Sequence, residues 1–100
     1  MTKVTEVTYY ETPAGGLDLE WLSSLGPVFK RLWNAGWSYG EVSVGVHAGT
    51  VYGSLEFESF ADYARLQDTW MNNQEWLAFL NANAHKMSKV VGRDLVTVQS

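Results

Sequence analysis

The chain contains no cysteine, which excludes a disulfide scaffold, a thiolate nucleophile and a zinc site built on sulfur. It has only two histidines, and with no His-x-x-x-His spacing or paired carboxylates they offer no transition-metal site. Charge is sparse, at 18% of residues, and scattered singly to a net −4. Such a pattern carries no basic footprint for nucleic acid or for an anionic membrane surface. Lys86, Lys89 and Arg93 form a modest basic cluster, read as the cationic complement of a helix C-terminus followed by solvated loop. Long apolar runs are also missing. None approaches the roughly 18 residues needed to span a bilayer, and Met1-Thr-Lys-Val-Thr-Glu6 lacks the apolar centre of a signal peptide, so a cytoplasmic location is expected. Ala14-Gly-Gly16 is not followed by Gly-Lys-Ser/Thr, and no Gly-x-Gly-x-x-Gly follows a strand, so a phosphate cradle is absent. No serine sits in Gly-x-Ser-x-Gly, and no hydrolase triad is suggested.

The chain is rich in aromatic and apolar side chains. Its 100 residues (1–100) make one domain, and 46% hydrophobic content suffices for a single packed core. Five Trp, five Tyr and four Phe are a heavy load for this size. Each ring buries on the order of 150–250 Å², so part of the aromatic surface is expected at a subunit interface.

Val4 to Tyr10 reads as a first strand, closed by the breakers Thr12-Pro-Ala-Gly-Gly16. From a cap at Asp18, the residues Trp21, Leu22, Leu25, Val28, Phe29, Leu32 and Trp33 recur at helical spacing. Gly26-Pro27 predicts a kink or two helical pieces, and Gly36 ends the run. The most specific segment is Glu41 to Phe57, which predicts a β-hairpin about a two-residue Ala48-Gly49 turn, with Gly supplying a positive φ. The register then sets His47 opposite Thr50, Val46 opposite Val51, Val44 opposite Gly53 and Val42 opposite Leu55. The valines form an apolar face for the helices to cover. The opposite face carries Glu41, Ser43, Gly45, His47, Thr50, Tyr52, Ser54 and Glu56. Ser59 caps a second helical region bearing Phe60, Tyr63, Ala64, Gln67, Trp70 and Met71. Asn72-Asn-Gln74 either bends this helix or divides it in two. Val90 to Val98 supplies the last strand.

Strand, helix, strand, strand, helix, strand is the split βαβ order, with both helices on one sheet face and right-handed crossovers. The fold class is therefore α+β, a ferredoxin-like βαββαβ domain with an antiparallel sheet. Its second face, mixed rather than charged through Tyr52, Tyr9 or Tyr10, Val7, Ser43, Gly45 and Ser54, suits a second copy packing sheet to sheet. A homodimer is expected. RNA-binding modules share the topology but need basic and aromatic residues on the central strands, whereas Glu6, Glu56 and Glu58 make this sheet acidic.

The element order resembles the dimeric α/β-barrel superfamily, which includes antibiotic-biosynthesis monooxygenases, heme-degrading monooxygenases and the NIPSNAP proteins. So do the phrases Leu25-Gly-Pro-Val-Phe-Lys-Arg-Leu-Trp-Asn-Ala-Gly36, Phe57-Glu-Ser-Phe-Ala-Asp-Tyr63, Trp70 and Glu75-Trp-Leu-Ala-Phe79. The resemblance implies a dimeric barrel with a small-molecule pocket between sheet and helices or inside the barrel. It also raises heme degradation, whose pattern pairs a first-strand Asn with a Trp and a His about ten residues on. Val4 to Tyr10 has no Asn, and from Trp70 the histidine position falls near Leu80. Trp76 and His85 are nine apart and face opposite sides of an unbroken helix. No cofactor is therefore expected.

These readings converge on a protein that binds a small, largely apolar molecule in an aromatic-lined pocket. The alternatives are a cofactor-independent monooxygenase acting on an aromatic substrate, and a non-enzymatic structural or interaction dimer. The candidate ligand-binding residues are Tyr52, Glu56, His47 and Ser54 on the hairpin face, with Trp70 and Trp76 on the helices. The resemblance assigns no catalytic residue.

Overall fold

The computed structural model describes residues 2–86 and 88–99. Its elements are β1 (Thr2–Tyr10), α1 (Leu19–Trp33), β2 (Gly36–Glu41), β3 (Val51–Phe57), α2 (Phe60–Thr69), α3 (Gln74–Ala82), a short 3-10 turn (Ala84–Lys86) and β4 (Val90–Gln99). The four strands form an antiparallel sheet in the order β2-β3-β1-β4. This is the expected α+β ferredoxin-like arrangement. Among the described residues, no helix is long and apolar enough to cross a membrane.

Side-chain caps start all three helices. The Asp18 carboxylate accepts from the Trp21 N–H, the Ser59 hydroxyl from Asp62 and the Asn73 side chain from Trp76, each satisfying a donor with no intrahelical partner. Asn73 is also what divides the second helical region into α2 and α3. Of the two expected outcomes at Gly26-Pro27, two separate helical pieces do not form: α1 is one continuous helix with Pro27 inside it. Pro27 cannot bond the Ser23 carbonyl, but both residues are exposed, so water reaches that acceptor. The helix ends before Gly36, at Asn34, which takes a left-handed φ of 53° and donates its N–H to the Lys30 carbonyl.

The hairpin register differs from the expected one. Trp37 lies opposite Leu55, Tyr39 opposite Gly53 and Glu41 opposite Val51, displacing the first strand by five residues. The Ala48-Gly49 turn does form, with the Thr50 N–H donating to the His47 carbonyl and Gly49 at φ +87°. It sits in a loop rather than closing the ladder. The valines expected to face the helices lie in that loop, with Val44 87% and Val46 97% exposed. Trp37 explains the outcome. Its ring fills the space above Gly53, where a Cβ would run into it. It packs 5.1 Å from the Phe29 ring and donates Nε1–H to the Leu22 carbonyl at 2.8 Å. Because the shift is odd, it exchanges the faces of the first strand. Ser38 and Gly40 thus replace Ser43 and Gly45 on the second sheet face.

The core lies between the helices and one sheet face. Trp33, Phe57 and Val4 are almost wholly buried, joined by Trp21, Leu25, Val28, Phe29, Leu66 and Trp76. Phe60 and Met71, counted in the second helical stripe, are instead 51% and 60% exposed.

Candidate functional site

A cavity of about 580 Å³ opens between α1, α3 and the helix-covered sheet face. It adjoins a smaller lobe of about 100 Å³ above β1 and β3. The two share Tyr10, Phe29, Trp37, Trp70, Trp76 and Arg93. Apolar walls follow from the α1 stripe, which brings Trp21, Leu22, Leu25 and Phe29 to one side. Stacking stiffens the wall, with ring centroids 5.5 Å apart for Trp21 and Phe79 and 5.9 Å for Trp76 and Phe79. At the rim, Lys86 Nζ lies 3.7 Å from the Asp18 carboxylate and 5.9 Å from the Trp21 ring centroid. This ties the 3-10 turn to the start of α1.

The smaller lobe is polar at its base. In β1 the alternation Val4, Glu6, Thr8, Tyr10 directs these residues to the helices, and Glu6 and Thr8 are each 7% exposed. Glu6 Oε2 accepts from the Tyr63 hydroxyl at 2.8 Å and from the Gln67 amide at 3.4 Å. Burial first, and then that bond to Glu6, push the Tyr63 phenol up to about 12. Tyr10 is also raised, chiefly by burial, with the nearby Arg93 guanidinium opposing the shift. Trp76 Nε1 is the buried side-chain polar atom with no hydrogen-bond partner among the described residues.

The sheet separates the six expected site residues. Trp70 and Trp76 line the cavity. Tyr52, Ser54 and Glu56 lie on the opposite face of β3, as their alternation requires. There Ser54 Oγ meets Ser38 Oγ at 2.5 Å, in place of the expected Ser43, and Glu56 lies 3.8 Å from Lys3 Nζ. Tyr52 packs on Gly40. His47 is half-buried on that same face, over the β1 partner of Tyr52. It stacks on Tyr9 with centroids 4.0 Å apart and sits above Gly92, which has no Cβ to obstruct it. Tyr9 donates to Asp94 at 2.9 Å, and that bond is the main cause raising its pKa.

Glu6, read from the sequence as part of an acidic sheet surface, is buried, and with Thr8, Tyr10 and Arg93 it supplies cavity groups absent from the expected set. The β1 alternation already placed Glu6 on the Val4 face, so this signal was present. Arg93 gave no signal, because its place depends on the β1–β4 register that sets it opposite Thr8. Trp76 and His85, expected on opposite sides of one helix, line the same cavity because α3 ends at Ala82.

No protein-family model matches the chain, and no curated protein matches it in sequence. Solved structures do share its fold. An uncharacterised NIPSNAP-like domain protein from Burkholderia xenovorans is similar at TM-score 0.62 and 18% identity, over 99% of this chain and 84% of that one. A NIPSNAP family protein from Agrobacterium tumefaciens is similar at TM-score 0.57 and 17% identity, over 97% and 91% of the two chains. A further Agrobacterium tumefaciens protein gives TM-score 0.58 and 16% identity, over 99% and 92%. This likeness is one of architecture: the chain has the ferredoxin-like α/β fold of NIPSNAP-like domains.

Proposed function

We infer that the chain binds a small, planar, largely apolar molecule in the cavity between helices and sheet. The observation that carries this reading is a space of about 580 Å³ walled by Trp21, Phe29, Trp37, Trp70 and Trp76 with few polar groups. That volume lies within the roughly 300–1,000 Å³ of small-molecule sites, and the wall chemistry matches them. Native mass spectrometry of freshly purified protein, followed by release of anything carried with it, tests the reading. A companion titration follows tryptophan fluorescence with naphthalene. Saturable 1:1 quenching that is lost when the half-buried Leu80 is enlarged (Leu80→Trp) supports the cavity; quenching that never saturates, or that survives the plug, removes it. Oxygenation, the enzymatic alternative, uses the same space and is distinguished by dioxygen consumption with an aromatic substrate.

A second reading concerns the other sheet face, where a second copy would pack. Val96 and Val98 are 46% and 48% exposed there, opposite Thr5 and Lys3 of β1. Its polar side chains Ser54, Glu56 and Tyr9 are already partnered within the chain, which lowers the desolvation cost of covering them. Sedimentation equilibrium decides between a dimer, as this reading expects, and a monomer, which ends it.

A further inference from the structure

Two opposite charges face the smaller lobe without meeting. Glu6 and Arg93 both line it, yet among the described residues no ion pair joins them. Glu6 is 7% exposed, and its Oε2 is occupied by Tyr63 and Gln67. Its Oε1 accepts no hydrogen bond among the described residues, and the residue lines the lobe. Arg93 belongs to the edge strand β4 and is exposed. It borders both cavities and likewise makes no side-chain hydrogen bond among the described residues. Both charges act on the same two phenols: Glu6 raises and Arg93 lowers both Tyr10 and Tyr63.

A lobe walled by one carboxylate and one guanidinium has no net charge to offer. An anionic head gains Arg93 but is repelled by Glu6, and a cationic head meets the reverse. A neutral head that donates and accepts suits both: its O–H or N–H donates to Glu6 Oε1 while its oxygen accepts from the Arg93 guanidinium. The space between the two residues is then filled by the ligand, and the attached ring extends among Phe29, Trp37, Trp70 and Trp76 in the larger cavity.

We propose that Glu6 and Arg93 select the ligand's head group, and that the molecule held is a neutral planar arene bearing one donor–acceptor group, a hydroxyl or a carboxamide. This rests on the cavity reading above and adds the polar end of the ligand. The test compares naphthalene, 2-naphthol, 2-naphthamide, 2-methoxynaphthalene and 2-naphthoate by tryptophan quenching on the full chain. The expected result is 2-naphthol and 2-naphthamide binding at least about tenfold tighter than naphthalene and 2-methoxynaphthalene, the latter accepting but not donating, with 2-naphthoate also weaker. Arg93→Met should abolish the preference for 2-naphthol over naphthalene, read as the ratio of the two affinities in the same variant. Glu6→Gln, which keeps an acceptor for Tyr63, should remove the preference for 2-naphthol over 2-naphthoate. If all five probes bind alike, or Arg93→Met leaves the naphthol preference intact, the head-group assignment is overturned while the cavity stands. If none of the five saturates, the cavity reading fails and this assignment with it.

Discussion

The two faces of the sheet use the same strands for different purposes. On the helix side, Val4 and Phe57 are buried, aromatic rings close over them, and the polar groups Glu6 and Thr8 are enclosed. On the other side, Tyr9, Tyr52, Ser54 and Glu56 stay at least partly exposed, and Tyr9, Ser54 and Glu56 pair with their neighbours. A polar group among apolar walls and short of partners is set up to receive a ligand, whereas one already paired on a flat surface is set up to be covered. The proposed cavity thus lies on the helix-covered side with Trp70 and Trp76, while the other four candidate residues lie across the sheet from it.

The contrast can be broken most strongly at the helix-covered face. Phe57→Ala removes a ring that is 1% exposed and should cost about 3–5 kcal/mol in urea unfolding. A loss under 1 kcal/mol would show that this face is not the core. Gly53→Val sets a branched side chain against the Trp37 indole. The expected cost is about 1–3 kcal/mol, accompanied by a shift in tryptophan emission as the ring is displaced. On the other face, Tyr52→Asp should leave the circular dichroism and unfolding midpoint of the single chain nearly unchanged, while shifting a dimer toward monomer in sedimentation. A dimer that keeps its dissociation constant would place the interface elsewhere.

A subtler test uses alkali. The Tyr63 phenol titrates at about 12 in the fold against 10.0 in the unfolded chain, so its protonated form is the one that folding favours. Its contribution to stability should be complete below pH 10 and decline as pH rises through about 12. Phenolate absorbance and unfolding midpoints across this window, compared with Tyr63→Phe, measure it; a Tyr63 that ionises like a free tyrosine contradicts the buried bond to Glu6. The smallest effect belongs to the loop. Val46 is 97% exposed, so Val46→Thr should change stability by no more than about 0.5 kcal/mol. A larger loss would restore the expected valine-faced hairpin.

Much of the architecture was legible because it is local. Asp18 and Ser59 cap the helices named for them, the α1 stripe faces the core as its spacing implies, with Leu22 and Leu32 partly buried at its margins, and β3 presents Tyr52, Ser54 and Glu56 to the second face. The hairpin was misread for a physical reason. Three alternating valines imitate a half-buried strand, and nothing local shows that a tryptophan five residues earlier has a glycine to pack on and a helix carbonyl to bond. The site was half legible. Trp70 and Trp76 follow from helical spacing, but Glu6 and Arg93 are 87 positions apart and meet at one lobe only because β1 and β4 are neighbours.

The sequence by itself determined the element order, the Asp18 and Ser59 caps, the antiparallel α+β class and the absence of thiol chemistry, since each depends on residue type at short spacing. Tertiary structure alone decided the β2–β3 register, the wall shared by Trp76 and His85, and the convergence of Glu6 and Arg93 on one lobe. Each of these is a competition between distant side chains for the same space, and only the packed fold settles which of them occupies it.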